Sequence, residues 1–279
     1  MPSIDHILST FSPITLEQMS GVKLMNRIDT KFVMPRTLLP ALLAMAQEDY
    51  HVQEIGGKRT GAYDTVYYDT ETLDMYIRHH DRQLVRQKIR VRTYVESKLY
   101  FLEIKRKNNK GRTKKKRIAL PCTALTPDMI GQGKEAVRVD DFIATKSRYT
   151  YEQISPRLRT MFTRITLVNK AQTERLTIDF ELSFTNIRTG VCVAYPELVI
   201  VELKRDGNVP SPMLGIMQTL RIHPLKISKY CIGTALTTPE VKQNRFKAKI
   251  IRINKLLAVS SQQPTANSQQ PKANTQNPE

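Results

Sequence analysis

Arg86-Gln87-Lys88-Ile89-Arg90-Val91-Arg92-Thr93-Tyr94 and Tyr100-Phe101-Leu102-Glu103-Ile104-Lys105-Arg106-Lys107 decide the reading of this chain. Residues two apart on a β-strand share a face. Arg86, Lys88, Arg90 and Arg92 therefore line one face of the first strand, and Val85, Gln87, Ile89 and Val91 the other. In the second, Glu103, Lys105 and Lys107 alternate with Leu102 and Ile104. The same two-residue period recurs outward from this pair. Lys23–Met34 sets Lys23, Arg27, Asp29 and Lys31 against Leu24, Ile28, Phe32 and Met34. After a turn at Asn108–Gly111, Thr113–Leu120 sets Lys115 and Arg117 against Ile118 and Leu120. Met161–Val168 offers Arg164, Glu174–Phe180 offers Arg175, Thr177 and Asp179, and Leu198–Lys204 offers Glu202 and Lys204, each opposite an aliphatic face. Ala62–Tyr68 completes eight strands, several joined at hairpin distance, so the sheet is expected to be mostly antiparallel.

A charged face on one strand is ordinarily a solvated face. Taken together, the faces carry thirteen bases: Arg27, Lys31, Arg86, Lys88, Arg90, Arg92, Lys105, Lys107, Lys115, Arg117, Arg164, Arg175 and Lys204. They are accompanied by only four acids, Asp29, Glu103, Asp179 and Glu202. Like charges facing one another across strands destabilise pairing. Two of them about 6 Å apart at an effective dielectric near 20 repel by roughly 3 kcal/mol. A sheet that accumulates such repulsion needs an anion, and Arg-x-Arg on one face supplies forked donors suited to phosphate oxygens. The expected fold is α+β: a closed antiparallel eight-stranded β-barrel with a wet basic lumen and helices packed on the outside. Asp29, Glu103 and Asp179 read equally as salt-bridge partners. Glu202, in the apolar run Val199-Ile200-Val201-Glu202-Leu203, reads as a ligand for Mg2+ or Mn2+, which favour oxygen donors and bridge to phosphates.

The rest of the chain narrows the class. Its 279 residues carry a net charge of +18, which implies an anionic partner. Residues 260–279, rich in Gln, Asn, Pro and Ser, are expected to be a disordered tail after a single domain, 1–259. No apolar run is long enough to span a bilayer, the N-terminus has no secretory pattern, and the three cysteines are scattered, so a cytoplasmic protein is expected. Helices are expected at Ile4–Phe11, from Pro35, after Pro212 and over Pro239–Val259. The last is basic on one side and is expected to be a solvated covering helix; it could also meet a membrane-protein partner or place the chain at the inner face of a membrane. His79 and His80 read as surface residues, and no His or Cys constellation suggests a nucleophile. Aromatic residues make up only 7% and Trp is absent, so no nucleic-acid partner is expected.

Five pieces in order resemble the VTC domain, the catalytic module of the vacuolar transporter chaperone. They are Asn26-Arg27-Ile28-Asp29-Thr30-Lys31-Phe32, Val66-Tyr67-Tyr68-Asp69-Thr70, Lys88–Tyr94, Phe101–Lys107 and Val201-Glu202-Leu203-Lys204. Ser228-Lys229-Tyr230, ahead of an expected turn at Gly233, resembles the family's late Ser-Lys-Tyr element. The likeness spans about residues 20–235 and lies in order and spacing rather than in any one motif. It implies a triphosphate tunnel fold and a polyphosphate polymerase, with ATP, orthophosphate and polyphosphate as partners and Mn2+ or Mg2+ as cofactor. It also implies roles by position. Lys31, Arg90, Arg92, Lys105, Lys115, Arg164, Arg175 and Lys229 would hold the nucleotide triphosphate and the growing chain, and Glu202 the metal. From their shared faces, Arg27, Lys88, Arg117 and Lys204 join the phosphate-binding set. A one-residue slip in Lys114-Lys115-Lys116 would change which lysine faces inward. The related tunnel hydrolases open with Glu-x-Glu-x-Lys; here the face reads Arg27-x-Asp29-x-Lys31, one carboxylate fewer, which favours polymerase over hydrolase. Two alternatives stand beside it: a metal-dependent triphosphatase acting on ATP or tripolyphosphate, and a non-catalytic polyphosphate-binding module.

Overall fold

The computed structural model describes residues 3–20, 27–126, 138–207 and 209–261. Eleven strands and eight α-helices fall within them. The strands are β1 (Ser12–Ile14), β2 (Arg27–Pro35), β3 (Tyr50–Gln53), β4 (Gly61–Asp69), β5 (Arg86–Tyr94), β6 (Leu99–Lys107), β7 (Thr113–Leu120), β8 (Ser155–Asn169), β9 (Glu174–Asn186), β10 (Cys192–Tyr195) and β11 (Leu198–Asp206). The helices are α1 (Ile4–Ser9), α2 (Leu16–Ser20), α3 (Leu39–Ala46, entered through a 3-10 turn), α4 (Asp74–His80), α5 (Val139–Lys146), α6 (Pro212–Thr219), α7 (Lys229–Thr237) and α8 (Asn244–Ser261).

The eight strands expected from alternation form one continuous path, β2-β11-β9-β8-β4-β5-β6-β7. Every neighbouring pair in it is antiparallel. β1, β3 and β10 are short additions paired at its margins. The β6–β7 hairpin turns at Asn108–Gly111, where Gly111 has φ +78°, a conformation that favours a residue without Cβ. The sheet curls strongly: Lys105 on β6 feels the charge of Glu202 on β11, although four strands lie between them along the path. Among the described residues the ends β2 and β7 do not pair, so the expected closed barrel is here a curled antiparallel sheet. The part of the first strand expected over Lys23–Asn26, and the tail from 262 onward, lie outside the described residues.

The alternation sorts side chains onto the two faces. On the convex face, Phe32, Met34, Ile165, Leu167, Leu176, Ile178, Val199, Val201 and Leu203 pack beneath α1, α3 and α6. Ile89, Val91, Leu102 and Ile104 pack against Val139, Phe142 and Ile143 of α5. Each such aliphatic side chain, removed from water, contributes about 1.5–3 kcal/mol.

The concave face departs from expectation. Leu198, Ile200, Val33, Tyr67, Phe184 and Leu182 share a core with Tyr230, Cys231, Ile232 and Ala235 of α7, backed by Phe246 and Ile253 of α8. These helices therefore do not cover the outside; they fill one end of the concavity. Gly233 is not at a turn but inside α7, because a Cβ there would lie 2.6 Å from Phe184 Cδ1 and 2.7 Å from Leu158 Cδ2. α8 begins at Asn244, five residues later than expected, after the chain has crossed from α7. His80 is not a surface residue: it is buried at the end of α4, with Nδ1 2.8 Å from Asp81 Oδ1 and Nε2 2.6 Å from Asn244 Oδ1. His79 is half-buried. No helix among the described residues is long and apolar enough to cross a membrane.

Candidate functional site

Beyond the apolar plug, the same strand faces turn basic. Along β11, Leu198 and Ile200 give way to Glu202 and Lys204; along β2, Val33 gives way to Lys31. Register then sets charges side by side. Glu202 is level with Lys31 on one flank and Thr177 on the other, Lys204 with Arg175, Lys88 with Lys105, Arg90 with Glu103, and Lys105 with Lys115. This register settles which of the three adjacent lysines shares the concave face: it is Lys115.

Three carboxylates each hold two cations. Glu103, fully buried, takes Arg90 through Nη2 at 2.6 Å and also Lys115. Asp179, 2% exposed, takes Arg164 in a two-pronged pair at 2.6 and 2.8 Å and also Lys229 from the first turn of α7. Glu202 lies 3.7 Å from Lys31 and 3.2 Å from Lys204. These cations hold all three carboxyls below the ordinary range against the opposing effect of burial. A fourth pair, Arg27–Asp29 at 2.7 Å, sits at the exposed rim. Arg117 is also exposed and lies over the Phe101 ring, 4.5 Å from its centroid.

Between these carboxylates four cations make no ion pair with a carboxylate among the described residues: Lys88, Arg92, Lys105 and Arg175. Arg92 is 8% exposed, and its Nε lacks a hydrogen-bond partner, as does Thr177 Oγ1. Lys88 donates from Nζ to Ser228 Oγ at 2.8 Å, at the N-cap of α7. The Arg90 guanidinium beside it and burial push the Lys105 ammonium down to about 6. Burial, despite Asp179, pushes Lys229 to about 7. Buried like charges without counterions cost several kcal/mol each, so the arrangement is preorganised for a multivalent anion.

Alternation overlooked the aromatic floor under these guanidinium groups. Tyr63 and Tyr67 share the concave face of β4 with Thr65. Arg92 and Arg164 lie 5.5 and 4.7 Å from the Tyr63 ring, Lys229 lies 4.1 Å from Phe162, and Arg90 reaches the Tyr67 hydroxyl at 3.3 Å. Their spacing of four residues on an already recognised strand was the available signal. Asp69, next in that strand, anchors the helices around the site: it accepts from the backbone of Met75 and Tyr76 at 2.9 Å each, and from the Tyr230 hydroxyl.

For a divalent cation, the described residues contain no group of three or more His, Cys, Asp or Glu side chains. Glu202 alone, about a quarter exposed, faces the cationic concavity without being enclosed by one partner. That donor set does not make a cage. It suits an ion that keeps most of its ligands on substrate phosphates and waters, as Mg2+ commonly does.

Comparison with curated proteins finds no match. Among solved structures, the chain resembles a putative adenylate cyclase from Vibrio parahaemolyticus at 10% identity, covering 75% of this chain and 97% of that one, with a TM-score of 0.44. A putative adenylyl cyclase from Hippeastrum, described as having a dominant triphosphatase activity, is similar at 13% identity, 75% and 95% coverage and a TM-score of 0.38. A conserved hypothetical protein from Pyrococcus furiosus gives 11% identity, 72% and 96% coverage and a TM-score of 0.38. The VTC domain model matches residues 26–238, a stretch that holds the eight-strand path, the three doubly paired carboxylates and α7, and stops before α8: the chain belongs to the VTC domain family.

Proposed function

We propose that this chain is a polyphosphate polymerase, transferring the terminal phosphate of ATP to orthophosphate or to the end of an inorganic polyphosphate chain. One observation carries the reading: ten cations lie around the three carboxylates, and four of the ten make no ion pair with a carboxylate among the described residues. The missing counter-charge has to be supplied by a ligand of high negative charge density, which a triphosphate is.

In this reading Arg92, Lys105, Lys88 and Arg175 bind phosphate oxygens directly. Arg90 and Arg164, held rigid by Glu103 and Asp179, stabilise charge that develops on the transferred group. An oxygen of the acceptor phosphate forms a bond to the γ-phosphorus. The bond from that phosphorus to the β–γ bridging oxygen breaks, and ADP leaves with the electron pair. The acceptor is already ionised near neutral pH, so no strong general base is needed, in keeping with Glu103 and Asp179 being committed to ion pairs. Lys31 and Lys229 complete the cationic wall, with Lys115 and Lys204 beside their carboxylates and Arg27 and Arg117 at the rim. Glu202 would be the protein ligand of an Mn2+ or Mg2+ ion, which when bound neutralises phosphate charge and polarises the phosphoryl oxygens. Closure of the sheet around a phosphate chain, by β2 approaching β7, belongs to the same proposal, as does a cytoplasmic setting where ATP is available.

The test is incubation with ATP and Mn2+, followed by separation of products. Long-chain polyphosphate with stoichiometric ADP is expected. Orthophosphate alone would replace polymerisation with triphosphate hydrolysis, and binding without turnover would leave a phosphate-binding module.

A further inference from the structure

The basic face does not end at Lys88 and Lys105. Two residues further along each strand, about 7 Å on the same face, the register pair is Arg86 and Lys107. Lys88, one step back on this face, bonds Ser228 at the N-cap of α7, so this end of β5 runs past the start of the plug helix. Lys107 is electrostatically close to Arg86 and Lys226, and Lys249 to Arg82 and Lys226. Geometry ties these groups together. Lys249 Nζ of α8 donates to the Lys226 carbonyl at 2.7 Å, and Lys226 stands two residues before Ser228, which receives Lys88. Arg86 donates from Nη1 to the Gln83 carbonyl at 2.6 Å, which draws the loop bearing Arg82 to the same edge. None of Arg82, Arg86, Lys107, Lys226 or Lys249 is ion-paired to a carboxylate among the described residues. The nearby acids are engaged elsewhere: Asp81 with His80 and Lys242, and Asp74 with Arg78. His79, whose Nδ1 is buried without a partner among the described residues, is held neutral by burial and by the charges of Lys88, Arg86 and Lys249.

We propose that the site continues as a rail, from Arg86 and Lys107 to Lys226, Lys249 and Arg82, that holds the distal phosphates of a linear polyphosphate chain whose end lies among Arg90, Arg92 and Lys105. The inference rests on the phosphate-chain reading above and deepens it. A triphosphate is too short to need the rail; a polymer fits it because successive phosphates meet successive unpaired cations. The exposed apolar side chain beside the rail is Leu84, 61% exposed, which offers no ring for base stacking, so the row suits bare phosphate better than nucleic acid.

The test compares wild-type full-length chain with Arg82→Ala/Lys226→Ala/Lys249→Ala, measuring equilibrium binding of tripolyphosphate and of long-chain polyphosphate over a range of salt. Three surface cations, Lys249 among them half-buried, at about half a kcal/mol each predict roughly tenfold weaker binding of the long chain, with a shallower salt dependence. Tripolyphosphate affinity should not change, and its stabilisation of the variant shows that the variant is folded. Equal long-chain affinity in both proteins overturns the rail. Single-stranded RNA of matched phosphate number binding as tightly as polyphosphate, and losing as much in the variant, overturns the choice of occupant. If wild type binds neither tripolyphosphate nor polyphosphate, the phosphate-site reading fails first. Lys226→Glu alone, at an exposed position whose side chain makes no hydrogen bond or ion pair among the described residues, carries the same comparison should the triple variant unfold.

Discussion

Replacing Asp179 with Asn keeps the shape of the side chain and removes one buried charge. In the folded chain that carboxylate, 2% exposed, is the anion for both Arg164 and Lys229. Removing one member of a buried ion pair characteristically costs about 3–5 kcal/mol, because the partner stays buried and uncompensated. Lys229 can soften this by losing its proton, since burial already pushes it to about 7 even beside Asp179; Arg164 cannot. The expected loss is therefore about 3 kcal/mol near neutral pH, the lower end of that range. In a chain of this size it lowers Tm by roughly 6–12 °C. Tripolyphosphate should restore more stability to the variant than it adds to wild type, because a polyanion replaces the missing counter-charge. Thermal and urea denaturation, with and without tripolyphosphate, read both effects. A loss below about 1 kcal/mol, or an equal ligand increment in the two proteins, would show that Arg164 and Lys229 are not buried dependants of this carboxylate.

Lys105→Met should stabilise the free protein by about 0.5–2 kcal/mol at pH 6, seen as a higher Tm, while weakening tripolyphosphate binding. The sign follows from linkage. With the folded value pushed down to about 6 against an unfolded value near 10.4, the ammonium's penalty is full below about pH 6 and is relieved as pH rises toward 10. The gain in Tm should shrink over that window, and a gain independent of pH would contradict it. Glu202→Gln should retain the wild-type melting profile to within about 1 kcal/mol and abolish metal-dependent turnover of ATP; full turnover would remove Glu202 as metal ligand. Gly233→Ala would gain up to about 1 kcal/mol of helix propensity in an open helix. Here the methyl meets Phe184 and Leu158 at 2.6–2.7 Å, so a net loss of about 1–3 kcal/mol is expected in urea denaturation. Because α7 carries Lys229, activity should fall with it.

Period-two alternation was legible because strands impose it one residue at a time. All eight long strands, and the division of Arg90, Arg92, Lys105 and Arg175 from their aliphatic neighbours, followed from local pattern. α7 escaped because Tyr230 through Ala235 are all buried. A helix enclosed on every side has no polar stripe, and hence no 3.6-residue signature. α4 was missed because it has only seven residues and takes its stabilisation from Asp69, five positions before its first residue. His80 read as surface for the same reason: its partner Asn244 is 164 positions away.

By itself, then, the sequence determined the strand set, the basic character of one sheet face and the identity of the side chains on it, since each depends on neighbours one or two residues apart. Only tertiary structure decided that β6 curls round to face β11, that α7 and α8 plug one end of the concavity, and which cations are matched by Glu103, Asp179 and Glu202 and which are left over. The reason is physical: charge pairing and burial depend on distance through space, and strand curvature brings together groups that the linear order keeps far apart.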